Sequence, residues 1–233
     1  MFLQPRFSED EQKVCKIVLD TYKQLLEIKT MVISDLNTNY SEAVAKLHIQ
    51  GISTGFISSL GINFVTSLYE AIAQNKHSFG FVAQEDGKVL GFVAFTTNLS
   101  KLYKSVILKK GCRFVLLLAG KMFSLRQIKK MFETLFYPSR VKKMDLPCAE
   151  LLSLVVAEEA RGRGVAAELV KKGLEACRTR GIPKVKVLVG ASNEPANKLY
   201  RNCGFELVGQ IDNHGVISNI YSAQTDSIQS GRI

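Results

Sequence analysis

Glu150 to Val156 is an apolar, strand-like run. It leads through Glu158-Glu159-Ala160 into Arg161-Gly162-Arg163-Gly164-Val165-Ala166, where a helical pattern starts at once. Three physical effects coincide at such a turn. The first amides of a helix have no intrahelical acceptor, the helix dipole is positive there, and glycine lets a ligand approach the backbone. A diphosphate is the natural ligand for that arrangement. Arg161 and Arg163 add side-chain charge beside the amides. Two standard phosphate motifs fail here. Neither glycine is followed by Lys and then Ser or Thr, and Ala167 stands where a dinucleotide fingerprint needs its last glycine. On these residues alone, a tight turn with solvated arginines stays open as the alternative.

A second cluster follows, Asn193-Glu194-Pro195-Ala196-Asn197-Lys198-Leu199-Tyr200-Arg201-Asn202-Cys203-Gly204-Phe205, with a strand pattern between the two. Together they resemble the GNAT N-acetyltransferase superfamily. Its acetyl-CoA loop reads Gln or Arg, two residues, Gly, one residue, then Gly or Ala, and Arg161 to Ala166 fit with Ala in the last place. The second cluster fits the family's Asn, Ala, Leu-Tyr and Gly-Phe spacing. The resemblance is strong over Glu150 to Val208 and looser over Met31 to Thr97. It is absent from the N-terminal helix and from a basic segment at 99–143.

The resemblance implies an α/β (α+β) fold, a mixed central sheet flanked by helices. In it the strands Leu151–Val156 and Lys184–Val189 splay apart. The pantetheine arm of acetyl-CoA would lie in the splay along Leu154, Val155 and Val156, with the amides of Leu154 and Val156 beside the thioester. The pyrophosphate would rest on Arg161, Gly162, Arg163, Gly164, Val165 and Ala166, and Asn193 and Asn197 would serve the cofactor arm. A strand with an unpaired edge can accept an amide-bearing ligand as an extra strand. The implied activity is direct, acetyl-CoA-dependent transfer of an acetyl group to a primary amine, without a metal.

That reaction needs a base for the ammonium proton, donors for the oxyanion and an acid for the departing thiolate. Likeness to the family makes Tyr200 the acid; a phenol is still protonated at neutral pH. The alternative is a core tyrosine on an amphipathic helix. Glu150 is the candidate base. It stands eleven positions before Arg161, where some family members carry a catalytic glutamate, and burial at a strand end would raise its pKa. A solvated strand-end charge, or a water chain in place of any base, stays open. Glu158 and Glu159 read as turn caps. His48 lies beside the Gly51–Gly55 loop, a region that lines the acceptor pocket in the family, and a structural histidine is the competing reading. Cys203 reads as packing.

The elements that must position these residues follow from pattern. Ser8 to Glu11 form a capping box, and Val14, Ile17, Val18, Tyr22, Leu25 and Leu26 make an amphipathic helix within residues 1–30. Its stripe must rest on the main domain or on a second chain, which leaves a homodimer open. The domain proper is expected over residues 31–223. It begins with a short strand at Met31–Ile33 and helices at Ser41–Gln50 and Ile62–Gln74. A hairpin follows, Phe79–Gln84 and Val89–Thr96, turned by Asp86-Gly87. Beyond the Leu151–Val156 strand come a helix at Gly164–Arg180, a strand at Lys184–Val189, a helix at Pro195–Cys203 and strands at Phe205–Ile211 and Val216–Tyr221. A loose tail is expected over 224–233.

Of 233 residues, 46% are hydrophobic and 22% charged, ordinary globular values that exclude collagen-like and disordered classes. The longest apolar run, Phe114 to Gly120, is far short of a membrane span. Five scattered cysteines without CxxC spacing, and three distant histidines, point away from disulfides and metal and toward a reducing, cytoplasmic setting. The opening residues show no secretory pattern. The net charge of +10 belongs to one place: residues 99–143 hold twelve Lys or Arg against Glu133 alone. This basic helical insertion, interleaved with aromatics, has three competing readings. It captures an anionic acceptor, it touches an anionic membrane surface, or it is an extra hairpin with a solvated basic face. Nucleic acid is the disfavoured partner. Two other functions stay open: a coenzyme A-binding protein without turnover, and an interaction module working through the insertion.

Overall fold

The computed structural model describes residues 30–53, 55–108, 146–213 and 216–226, with Lys13, Val14 and Lys16. The amphipathic helix expected within 1–30 falls outside these apart from that fragment. So do residues 109–143 of the basic segment, and with them the expected membrane or anion contact. Among the described residues no helix is long and apolar enough to cross a membrane, and no group of side chains could hold a metal.

Seven strands form one sheet: β1 (Val32–Asp35), β2 (Ser78–Glu85), β3 (Lys88–Thr96), β4 (Ala149–Val156), β5 (Lys184–Gly190), β6 (Glu206–Asn213) and β7 (Val216–Gln224). Their order is β1-β2-β3-β4-β5-β7-β6, and among the described residues only β4 and β5 run parallel. The β2–β3 hairpin turns at Asp86 and Gly87, both at positive φ, as a right-twisting two-residue turn requires. Helices α1 (Ser41–Gly51), α2 (Phe56–Ser59) and α3 (Ile62–Ala73) precede the hairpin. A further helix, α4, covers residues 99–108, and α5 (Val165–Thr179) and α6 (Glu194–Asn202) follow β4 and β5. Every element expected from pattern within the described residues is present. The one-turn α2, hidden in a polar, glycine-rich stretch, is an addition.

Strand alternation sorts the core into two faces. Phe92 meets Tyr69 of α3 edge-on at 5.2 Å, and Val155, its partner on β4, comes up against Gly51 of α1. On the opposite face Phe95 presses on Gly173 of α5 and stacks on Phe79 at 5.3 Å, with the Arg180 guanidinium 4.2 Å above that ring. The sheet is therefore sandwiched between α1 and α3 on one side and α5 on the other.

The feature that positions the site is a split. β4 pairs with β5 only over Ala149–Leu151 against Val185–Val187. Beyond that point β4 follows β3 to Val156, while β5 follows β7 to Gly190. Leu152 has no partner on β3, a bulge that turns β4 just where the strands part. At the far end β7 runs to Gln224, which pairs with Lys184, and the buried Thr225 donates to the Ile182 carbonyl at 2.6 Å. The chain thus stays tied to the sheet past the expected start of the tail. Residues 227–233 are outside the described set.

Candidate active site

The turn from β4 to α5 carries the site's first half. Gly162 and Gly164 take φ 76° and 78°, values that L side chains rarely adopt, and a Cβ on either would meet nothing within 4 Å. Open space, not crowding, therefore surrounds both. Gly164 is the N-cap of α5 and offers no side-chain cap. The amides of Val165, Ala166 and Ala167 are left as donors at the positive end of a 15-residue helix.

The two arginines differ. Arg161 is exposed. Arg163 grips Glu85 with both guanidinium nitrogens, at 2.5 and 3.3 Å, and this pair raises the guanidinium's already high pKa. Glu85 is buried at the end of β2, so the loop is pinned to the hairpin. A second, exposed pair of opposite sense joins Lys88 to Glu159 at 2.6 Å. Glu159 thus anchors the turn, close to the role expected of it. The Arg163 side chain is thus engaged by Glu85.

Along β4 the amides alternate. Ala157 donates to Leu90 of β3 at 2.7 Å, so Val155 and Ser153 also direct their amides to β3. The amides of Leu154 and Val156 therefore point to the side β5 has left. Val155 itself commits its backbone to the β3 ladder and its side chain to α1.

On α6, Asn193 caps the helix by accepting from the Ala196 amide at 3.2 Å. Asn197 is buried, and its whole amide serves the scaffold. Nδ2 donates to the Gly190 and Asn193 carbonyls at 3.0 and 2.7 Å, while Oδ1 accepts from Asn219 and Tyr221 at 2.7 and 3.0 Å. These bonds make it a strut between α6, β5 and β7. Tyr200 is 5% exposed and packs edge-on to Phe205 at 5.5 Å. Burial pushes its phenol well above the ordinary range, so it holds its proton at any working pH. Burial likewise lifts the Cys203 thiol to about 11, which leaves it a poor nucleophile and suits the packing role.

Glu150 lies on the opposite face, 7% exposed, across from Lys186 in the last parallel pairs. Lys186 is 3% exposed; its Nζ stands 3.3 Å from Glu150 Oε2 and donates to the Pro147 carbonyl. Oε2 is left short of a well-directed hydrogen bond. Burial raises the Glu150 pKa and Lys186 draws it partly back. Lys186 was not foreseen, although a lysine between Val185 and Val187 in an apolar strand is itself a signal that a buried partner exists.

His48 is 6% exposed, and its Nδ1 lies 2.7 Å from the Tyr69 hydroxyl, which donates to Ser153 Oγ at 3.2 Å. With that donation Nδ1 carries the proton, and Nε2 is a buried acceptor without a partner. Burial lowers its pKa to about 4. A neutral, structural histidine fits this better than a titrating one.

Comparisons agree with this geometry. The Acetyltransferase (GNAT) family profile matches residues 56–205, more than half of the chain. A mycothiol acetyltransferase of Thermobifida fusca is 39% identical over 61 residues, 26% of this chain and 19% of that protein. An uncharacterized N-acetyltransferase of Methanocaldococcus jannaschii is 34% identical over 68 residues, 29% of each chain. The chain thus spans less than a third of the curated relatives it matches. Among solved structures, the ribosomal-protein-S18-alanine N-acetyltransferase of Escherichia coli superimposes with a TM-score of 0.55 at 14% identity, over 88% of this chain and 99% of that one. Arabidopsis thaliana NAA60 in complex with acetyl-CoA gives 0.54 at 17%, over 85% and 100%. A seven-stranded sheet split between its parallel strands, an uncapped glycine turn at the split and a profile match across both place this chain in the GNAT acetyltransferase family.

Proposed function

We propose that the protein transfers an acetyl group from acetyl-CoA directly to a primary amine. The observation that carries this is the joint placement of two donor sets. The uncapped amides of Val165 to Ala167 would hold the pyrophosphate, and the Leu154 and Val156 amides, aimed into the split, would pair with the pantetheine arm. Family membership supports the reading, as does the acetyl-CoA bound to a structural neighbour.

In the proposed reaction the ammonium group first loses a proton to Glu150, whose burial makes it a stronger base than a solvated carboxylate. The neutral nitrogen attacks the thioester carbon and an oxyanion forms, met by the Leu154 amide. The carbonyl then re-forms as the C–S bond breaks; Tyr200 gives its proton to the departing thiolate, and the surplus proton on the nitrogen passes to the Tyr200 oxygen, which leaves a neutral amide, a thiol and a neutral phenol. A reducing compartment suits the free thiols Cys148, Cys177 and Cys203.

The test is a panel of primary amines incubated with acetyl-CoA and followed by free-thiol release. Acceptor-dependent release that Gly164→Glu abolishes is the expected result. Acetyl-CoA binding without release on any amine would turn the reading to a coenzyme A-binding protein.

A further inference from the structure

The helix after β3 occupies a position that its sequence does not announce. Leu99, buried at the start of α4, packs against both Leu152 and Leu188. These are the first residues beyond the last β4–β5 pair, one on each arm of the split. Ile211 of β6 joins the same contact. One and two turns further on, Leu102 and Val106 cluster with Ala71 of α3, and Leu152 packs on that cluster as well. So α4 bridges the α3 layer and the fork itself.

Its face is fixed by alternation. Lys186 and Leu188 share one side of β5, and Glu150 pairs with Lys186. Tyr69 of α3 reaches Ser153 on that side, whereas α5 lies on the other. Hence the phosphate seat is on one face of the sheet, and α4 lies over the fork on the opposite face, with Glu150. Tyr103 packs on Leu99 one turn along α4 and feels the Glu150 charge.

Resting on the acyl-transfer reading above, we infer that residues 99–108 form the floor of the acceptor site, with Leu99 in the fork and Tyr103 packed on it, and that the acceptor is an amine on an uncharged, apolar stem. With Glu150 as the base, the amine must reach the thioester carbon from the face that carries Glu150, which is where α4 lies. The surface there is built from the part-buried Leu152, Leu188 and Ile211 packed on the buried Leu99, with the Glu150–Lys186 pair as its charged neighbour. An aliphatic or aromatic stem gains by contact with such a surface, whereas a phosphate there would lose its hydration beside a lysine already engaged by Glu150 and the Pro147 carbonyl.

The experiment compares two probe amines, phenethylamine and phosphoethanolamine, by free-thiol release with the full chain. The variants are Leu99→Ala and Tyr103→Phe, and acetyl-CoA affinity is followed separately by calorimetry. The wild type should favour phenethylamine by at least about tenfold in kcat/KM, as loss of a matched apolar contact predicts. Leu99→Ala should cut that preference about tenfold while acetyl-CoA affinity stays within about twofold. Tyr103→Phe, which keeps the apolar packing on Leu99, should leave the preference in place. Equal or reversed ranking of the two amines, or a Leu99→Ala loss matched by an equal loss of acetyl-CoA affinity, would overturn the inference. No heat with acetyl-CoA in the wild type would instead strike the acyl-transfer reading beneath it, and the inference would fall with it.

Discussion

At the mouth of α5, the groups offered to a ligand are backbone amides on a solvent-facing turn, and side chains do little beyond the Glu85–Arg163 pin. Across the sheet the opposite holds. Glu150, Lys186 and His48 are side chains taken almost wholly out of water, each dependent on a partner from another element. A backbone site depends on conformation and tolerates changes of side chain that preserve it. A buried side-chain site can be tuned in pKa, but removing one partner strands the other.

The largest effect should come where that dependence is greatest. Glu150→Gln should lower kcat by about a hundredfold to a thousandfold and remove the acidic limb of the pH–rate profile. Because burial raises the Glu150 pKa, that limb in the wild type should lie above the ordinary carboxylate value of 4.5, activity falling as pH drops through it. The same change leaves Lys186 buried and unpaired, costing about 3 kcal/mol in urea unfolding. Adding Lys186→Met should restore stability but not rate. A variant that keeps its rate and its pH profile would remove Glu150 from the chemistry.

His48 gives the next effect, in stability alone. Its folded pKa of about 4 lies below the ordinary 6.5. The neutral ring therefore contributes fully above pH 6.5, and that contribution is lost as pH falls toward 4. Between pH 7 and 4.5 the wild type should lose about 2–3 kcal/mol more than His48→Gln, measured by urea unfolding at both pH values. Parallel pH dependences would contradict the buried neutral histidine.

On the backbone side, Gly164→Glu should weaken coenzyme A binding about a hundredfold in calorimetry, through left-handed strain and a carboxylate facing the pyrophosphate. Glu85→Gln should weaken it only about fivefold, because the loop loses one charged anchor. Tighter binding instead would mean that Glu85 withholds Arg163 from the phosphates. Lys88→Ala should change stability by less than about 0.5 kcal/mol, since its pair with Glu159 is exposed.

The same contrast decides what could be read from the sequence. The glycine turn, the bounding strand and helix, and the Asn193 cap are local, so Arg161 to Ala166 and the Asn193–Phe205 cluster carry their own signal. The strand boundaries within 146–213 were legible for the same reason: apolar runs punctuated by glycine. Contacts across the fold were not. Arg163 meets Glu85 across 78 positions, and Tyr69 meets Ser153 across 84. No spacing rule joins residues so far apart. The scaffold bonds of Asn197 were not legible either, because their partners Asn219 and Tyr221 lie on another strand. Within residues 99–143 the dominant signal is basic charge, and a single apolar Leu99 carries no local mark of its contact with the fork.

The most direct measurement is a calorimetric titration of the folded protein with acetyl-CoA. The account predicts saturable one-to-one binding with a Kd below about 1 mM, as for an ordinary enzyme substrate, lost in Gly164→Glu. A titration that stays silent at millimolar acetyl-CoA would contradict it.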